Sequence, residues 1–210
     1  MTACSAITGI ESLLNFVPER TETSAIPSRE TQLVARARDG DDAAFRGLVE
    51  MHQAAIHRFC SRWIGCWQDA QELSQDTFVR AWTALPDYQC SGRFEAWLYR
   101  IALNLCRDHA KSRATRDQRA TVSLDASISD SQECPSLPPD LSLEWQGDMR
   151  KLERGLAALP ERLRLPLILC TIESLPQDKC AEVLCCSTRA VEGRIRRARE
   201  RLLDWWNQNA

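Results

Sequence analysis

Apolar positions recur at steps of three and four over most of the chain, and no stretch alternates convincingly enough to be read as a strand. The spacing predicts a helix from about Arg29 to Arg38, stopped by Gly40. Asp41 caps a longer helix through about Trp63, ended by Gly65, whose buried face is expected at Ala44, Leu48, Met51, Ala55 and Phe59. A third helix, Gln68 to Leu85, closes at Pro86. Its apolar side is Ala70, Leu73, Thr77, Val79 and Ala81, with Phe78 and Trp82 flanking. Residues 86–92 (PDYQCSG) read as a loop, and Arg93 to Arg113 as a fourth helix with Leu98, Ile101 and Leu105 as its core stripe. Further on, Glu144 to Leu159 and Glu161 to Ile172 are helical and separated by Pro160. The last pattern is a short helical piece from Gln177, a break at Cys185-Cys186-Ser187, and a long helix seamed by Val191, Ile195, Ala198, Leu202 and Trp205.

Two segments lack this rhythm. Residues 1–28 are rich in Ser, Thr and Ala and read as a flexible N-terminal extension. Residues 114–143 carry Pro135, Pro138 and Pro139 among many Ser and Asp, too long a run for an ordinary loop inside one compact domain. The expectation is therefore all-α: two small helical domains, 29–113 and 144–206, joined by a long flexible linker. No internal repeat is visible.

The polar faces carry the chemistry. On the last helix Arg189, Arg194, Arg196, Arg197, Arg199 and Arg201 stand against Glu192 and Glu200, and Ser187 or Thr188 sits where an N-cap belongs. Short helix, tight turn and basic helix make a helix-turn-helix, with small Ala181 where the second helix must come close. Arginines such as Arg194 and Arg197 could fork onto guanine or phosphate. On the fourth helix Trp97, Arg100, Asn104, Arg107 and Lys111 form a second row, able to stack on bases, bond their edges and neutralise phosphates. The competing reading places Trp97 in the core among ordinary surface charges. The third helix presents Glu72, Gln75 and Asp76 within one turn, either as a solvated face or as a docking face for a basic partner.

Charge and cysteine content narrow the function. A formal net charge of −2 hides clustered arginines and separate acids, as suits a chain meeting both an acidic polymer and a basic protein surface. No apolar run is long enough to span a membrane and no secretion signal is visible, so a cytoplasmic location is expected. The 10 cysteines include no CxxC and read mostly as small core residues, leaving only Cys134 and the Cys185-Cys186 pair as openings for redox control. His52, His57, Cys60 and Cys66 fit no standard zinc spacing, so no metal or cofactor is expected. The 3 histidines form no triad with a nucleophile, and no catalytic residues are expected.

Three stretches together, DAQELSQDTFVRAW (69–82), RFEAWLYRIALNLCRDHAKSR (93–113) and residues 159–202, resemble the compact extracytoplasmic-function group of bacterial RNA polymerase sigma factors, of the sigma-70 family. The resemblance implies a sigma factor that binds core RNA polymerase and directs promoter-specific initiation in a stress, envelope or metal response. By it, 29–113 is sigma domain 2 and 144–206 sigma domain 4. Glu72, Leu73, Gln75, Asp76 and Phe78 would dock on the β′ subunit. Trp97, Arg100, Asn104, Arg107 and Lys111, with the 86–92 loop, would open and hold the −10 element. Thr188, Arg189, Glu192, Arg194, Arg196 and Arg197 would read the −35 element. Linker acids Asp117, Asp125 and Asp130 would mimic nucleic acid in the polymerase active-site channel, the β subunit would be a partner beside β′, and an anti-sigma factor would cover both domains. Two departures stand out: Cys185 in a turn where glycine is frequent, and Glu192 at a base-facing position where a basic residue is common, which could accept from cytosine N4. The alternative is a helix-turn-helix regulator that is not a polymerase subunit, for which 29–113 offers neither a sensor nor a dimerisation pattern.

Overall fold

The computed structural model describes residues 28–89, 93–121 and 143–209. All regular structure among them is helical. The first unit contains α1 (Arg29–Arg38), α2 (Asp42–Ile64), α3 (Trp67–Ala84), a 3₁₀ turn (Leu85–Asp87) and α4 (Phe94–Thr121). The second contains α5 (Leu143–Ala158), α6 (Glu161–Leu167), α7 (Gln177–Val183) and α8 (Thr188–Gln208). The predicted N-terminal extension apart from Ser28, and most of the predicted linker, lie outside the described residues.

Local chemistry explains where the helices start and stop. Ser28 caps α1, its hydroxyl accepting from Thr31 N–H at 3.2 Å. The helix ends in a left-handed Gly40, with Asp41 N–H reaching Arg36 C=O and Gly40 N–H reaching Ala37 C=O, both at 3.1 Å. Asp41 then caps α2. Its Oδ1 accepts from Ala43 N–H at 2.9 Å and Ala44 N–H at 3.0 Å, while Arg36 donates to Oδ2 through Nε at 3.0 Å and Nη2 at 2.6 Å. The Ala44 amide and the Arg36 guanidinium together hold this carboxyl below its usual pKa. One side chain thus ties the end of α1 to the start of α2.

The first core forms where α1, α3 and α4 pack on α2. Its α2 contribution is Ala44, Leu48, His52, Ile56, Phe59 and Cys60. This corrects the expected face: Met51 is 46 % exposed, and Ala55 is only half-buried. A fourfold step through 44, 48, 52 and 56 keeps the stripe against its neighbours, and it was masked because histidine reads as polar. His52 is buried with Nε2 2.9 Å from Glu30 Oε1 and its ring against Phe94. On α3 the buried positions are Ala70, Leu73, Ser74, Thr77, Phe78 and Ala81, and Thr77 satisfies its hydroxyl on Leu73 C=O at 2.7 Å. Val79, expected on the apolar side, is instead 63 % exposed. On α4, Leu98 and Leu105 are buried as expected and Ile101 is half-buried, while Phe94, Tyr99, Leu103 and Cys106 complete the core. Helix α4 also continues to Thr121, eight residues past the predicted end, because no Gly or Pro interrupts it.

In the second unit α5, α6 and α7 all pack on α8. Pro166 lies inside α6 and cannot donate a backbone hydrogen bond. The helix beyond it widens into a π turn over Ile168–Ile172, with Glu173 N–H bonded to Ile168 C=O at 3.0 Å. Ser174, left-handed at φ 56°, ends it. The seam of α8 is Val191, Ile195, Ala198, Leu202 and Trp206, so Trp206 takes the core position expected of Trp205. It lies i+4 from Leu202, with Lys151 Nζ 4.1 Å from its ring centroid. Gly155 lets α5 approach α8: an added Cβ would lie 2.8 Å from Leu202 Cδ1 and 2.9 Å from Trp205 Cε3.

Candidate nucleic-acid interface

The turn that presents α8 is built by backbone hydrogen bonds. After α7 the Cys186 N–H reaches Ala181 C=O at 2.9 Å and the Cys185 N–H reaches Glu182 C=O at 3.2 Å, a Schellman arrangement with Cys185 at its left-handed position, φ 50°. Glycine adopts that conformation without a steric penalty, which gives the sequence departure at Cys185 a physical cost. Ser187, rather than Thr188, is the N-cap of α8, its Oγ accepting from Ala190 N–H at 3.2 Å. Ala181 is buried in α7, where α7 and α8 meet.

Thr188, Arg189, Glu192, Arg196 and Arg197 are all exposed on α8. Arg196 Nε lies 4.0 Å from Glu200 Oε1, and Arg197 Nε donates to Gly193 C=O at 3.0 Å. Arg194 differs from the expectation. It is half-buried and its Nη1 donates to Cys186 Sγ at 3.5 Å, so its guanidinium braces the turn rather than projecting outward. Arg199 is also drawn in, and burial pulls its pKa down, although a guanidinium stays charged at neutral pH. Of the predicted arginine fan, Arg189, Arg196, Arg197 and Arg201 face solvent. The periodicity of the apolar seam could have separated these groups, since Arg194 and Arg199 flank Ile195 and Ala198.

On α4, Arg100, Asn104 and Lys111 are exposed, and Arg107 is half-buried. Trp97 falls between the two readings open in the sequence. It is half-buried, with its ring centroid 4.7 Å from Tyr88 and 5.6 Å from Phe94. Tyr88 comes from the 86–92 loop, which begins with the 3₁₀ turn and brings its ring 5.9 Å from Phe94. The three rings form a tilted and edge-to-face cluster at the N-terminal end of α4, a part of the site that the stripe on one helix could not reveal. Residues 90–92 lie outside the described residues.

On α3, Glu72, Gln75 and Asp76 are exposed together, with Val79 in line one turn on. Leu73 and Phe78, expected at the same surface, lie in the core and hold α3 in place rather than facing a partner. Trp82 is 38 % exposed and packs against Phe45 at 4.8 Å.

The thiols and histidines have structural places. Cys106 Sγ lies 3.8 Å from Cys60 Sγ inside the first unit, and that contact with burial pushes the Cys106 thiol far up. The Cys180 thiol is pushed up likewise, first by its hydrogen bond with Cys170. His57 meets Trp67 edge-on, and His109 Nε2 lies 3.5 Å from Asp69 Oδ2. Among the described residues no three His, Cys, Asp or Glu side chains gather where they could hold a metal ion, and no helix is long and apolar enough to cross a membrane. Cys134 lies outside the described residues.

Comparison with known proteins identifies both units. Residues 48–116 match Sigma-70 region 2, and residues 149–202 match Sigma-70, region 4. The RNA polymerase sigma-H factor of Pseudomonas aeruginosa is 32% identical over 177 residues, covering 82% of this chain and 91% of that protein. The ECF RNA polymerase sigma-E factor of Salmonella typhimurium is 30% identical over 173 residues, covering 80% of this chain and 89% of that protein. The solved structure of CnrH in complex with the cytosolic domain of CnrY is similar with a TM-score of 0.64 at 31% identity, covering 87% of this chain and 100% of that one. With both regions matched in order, and relatives of this identity spanned over nearly their whole length, the chain belongs to the extracytoplasmic-function RNA polymerase sigma factors, which direct promoter-specific transcription initiation.

Proposed function

We propose that the work of initiation is divided among three exposed rows. The α3 row, Glu72, Gln75 and Asp76 with Val79 beside it, docks on a basic surface of the polymerase β′ subunit. The α4 row, Trp97, Arg100, Asn104, Arg107 and Lys111, holds the melted −10 strand, with the half-buried Trp97, backed by the buried Tyr88 and Phe94, offering a face to an extruded base. The α8 row, Thr188, Arg189, Glu192, Arg196 and Arg197, reads the −35 duplex, while Arg194 supports the turn. The domain limits follow: 29–113 for polymerase and −10, 144–206 for −35, and 114–143 between them, of which the first eight residues continue α4. Leu73 and Phe78 contribute by fixing α3.

The observation that carries this reading is the pairing of opposite surfaces in one small unit. Exposed carboxylates on α3 repel phosphate and favour a basic protein, whereas cations and an aromatic on α4 favour a nucleic acid strand. The chain acts by binding, and it works in the cytoplasm with the polymerase. An anti-sigma factor is its second expected protein partner, in keeping with a stress, envelope or metal response; CnrH, a relative, was solved in complex with a second protein. The test is holoenzyme assembly. Replacing Glu72, Gln75 and Asp76 together by Ala or Lys should abolish transcription and core-polymerase binding while the variant stays folded. Undiminished core binding by that triple variant removes the docking assignment.

A further inference from the structure

Gly193 sits in the second turn of α8 with ordinary helical backbone. Three other glycines have an internal reason: Gly40 and Gly65 are left-handed, and Gly155 has Leu202 and Trp205 against it, whereas a Cβ on Gly47 would make ordinary contact with Leu33 Cδ1 at 3.4 Å. Gly193 has none of these. The nearest atom to an added Cβ would be Arg197 Nη2 at 3.8 Å, the far end of a flexible side chain. Glycine is the least favourable helix-interior residue after proline, because it loses the most backbone entropy on folding. Among the described residues, no contact at Gly193 compensates for that loss.

A bare Cα does permit an outside surface to come against the helix backbone. The residues around this gap indicate which surface. Arg189, Glu192, Arg196 and Arg197 surround it, all exposed, on the second helix of a helix-turn-helix. Arg197 is drawn back along the helix by its bond to the Gly193 carbonyl, so that only the end of its flexible side chain lies beside the bare Cα.

We propose that Gly193 is the point of closest approach between α8 and promoter duplex, where the edge of the major groove meets the helix backbone in van der Waals contact. A Cβ there holds the helix off the groove floor. Gly193 is thus a positioning residue for its neighbours, and its role rests on the −35 reading of α8 given above.

The test uses the full chain reconstituted with bacterial core RNA polymerase. A random-sequence duplex library is first selected with the wild-type holoenzyme. The wild type, Gly193→Ala and Gly193→Ser are then compared on the enriched duplex, and each free chain is melted. Gly193→Ala should melt at the same temperature or a few degrees higher, since alanine is the better helix former. It should nevertheless bind the enriched duplex tenfold or more weakly. Gly193→Ser, with the same Cβ, should lose as much. Binding within twofold of wild type by either variant overturns the proposal and leaves the −35 reading standing. A melting point several degrees lower for Gly193→Ala also overturns it, because glycine would then have a structural reason. If the wild-type holoenzyme enriches no duplex sequence, the −35 reading itself fails, and the proposal with it.

Discussion

Between α7 and α8 a cysteine holds a backbone conformation that glycine adopts more cheaply. A non-glycine residue in the left-handed region costs about 1–2 kcal/mol, partly offset because glycine loses more entropy on folding. Cys185→Gly should therefore raise stability by about 0.5–1 kcal/mol, and Cys185→Val, β-branched in the same conformation, should lower it by more, both read from urea midpoints at constant slope. Asp41 gives a pH prediction. Its folded pKa lies below the ordinary 3.8, so its stabilisation is present at neutral pH and is lost as pH falls from about that value through the folded one. Asp41→Asn keeps a capping side chain but removes the charge. It should flatten that part of the acid-unfolding curve and lower the midpoint at pH 7. The cap at Asp41 and the stops at Gly40 and Gly65 were legible because each is a single-residue signal. The inward turn of Arg194 was not, since it depends on Cys186 across the turn, eight residues earlier in the chain.

At the scale of the helix, periodicity predicted which elements exist better than which side faces in. Helix α2 shows why. It packs against three neighbours, so its buried stripe is wide, and His52 belongs to it by contact with Glu30 and Phe94 although its residue type argues otherwise. Val79 shows the reverse, an apolar residue placed by α3 on the same outer row as Glu72 and Gln75–Asp76. The α5–α8 contact yields a stability prediction. Gly155→Ala pushes a methyl into Leu202 and Trp205, and overpacking of this kind costs about 1–3 kcal/mol. Thermal melting should report that loss, in contrast to the unchanged or higher melting point expected of Gly193→Ala in a helix of the same unit.

The whole molecule separates its two proposed DNA-reading rows onto units that match different sigma regions. Their contributions should therefore separate by mutation. Trp97→Ala should weaken binding to promoter with an unpaired −10 strand by about 1–3 kcal/mol, the usual worth of one stacked base, and leave binding to upstream duplex unchanged. Arg196→Ala should do the opposite, weakening upstream duplex and lowering the slope of log affinity against log salt if it meets phosphate. Fluorescence anisotropy on the two probes with reconstituted holoenzyme distinguishes them. The two-unit organisation was visible in sequence because both helical patterns stop at a proline- and serine-rich run. The first pattern runs further than expected, since no Gly or Pro interrupts α4 before Thr121.

That long uninterrupted α4 has a metric consequence. From Trp97 to Lys111 the axis rises about 21 Å at 1.5 Å per residue. Stacked DNA advances about 3.4 Å per nucleotide along one strand, so the same length corresponds to about six nucleotides. On the proposed reading, the number of bases read from the opened strand is gauged by a rigid rod, and inserting one helical turn between Asn104 and Lys111 would shift the phosphate grip by one to two nucleotides.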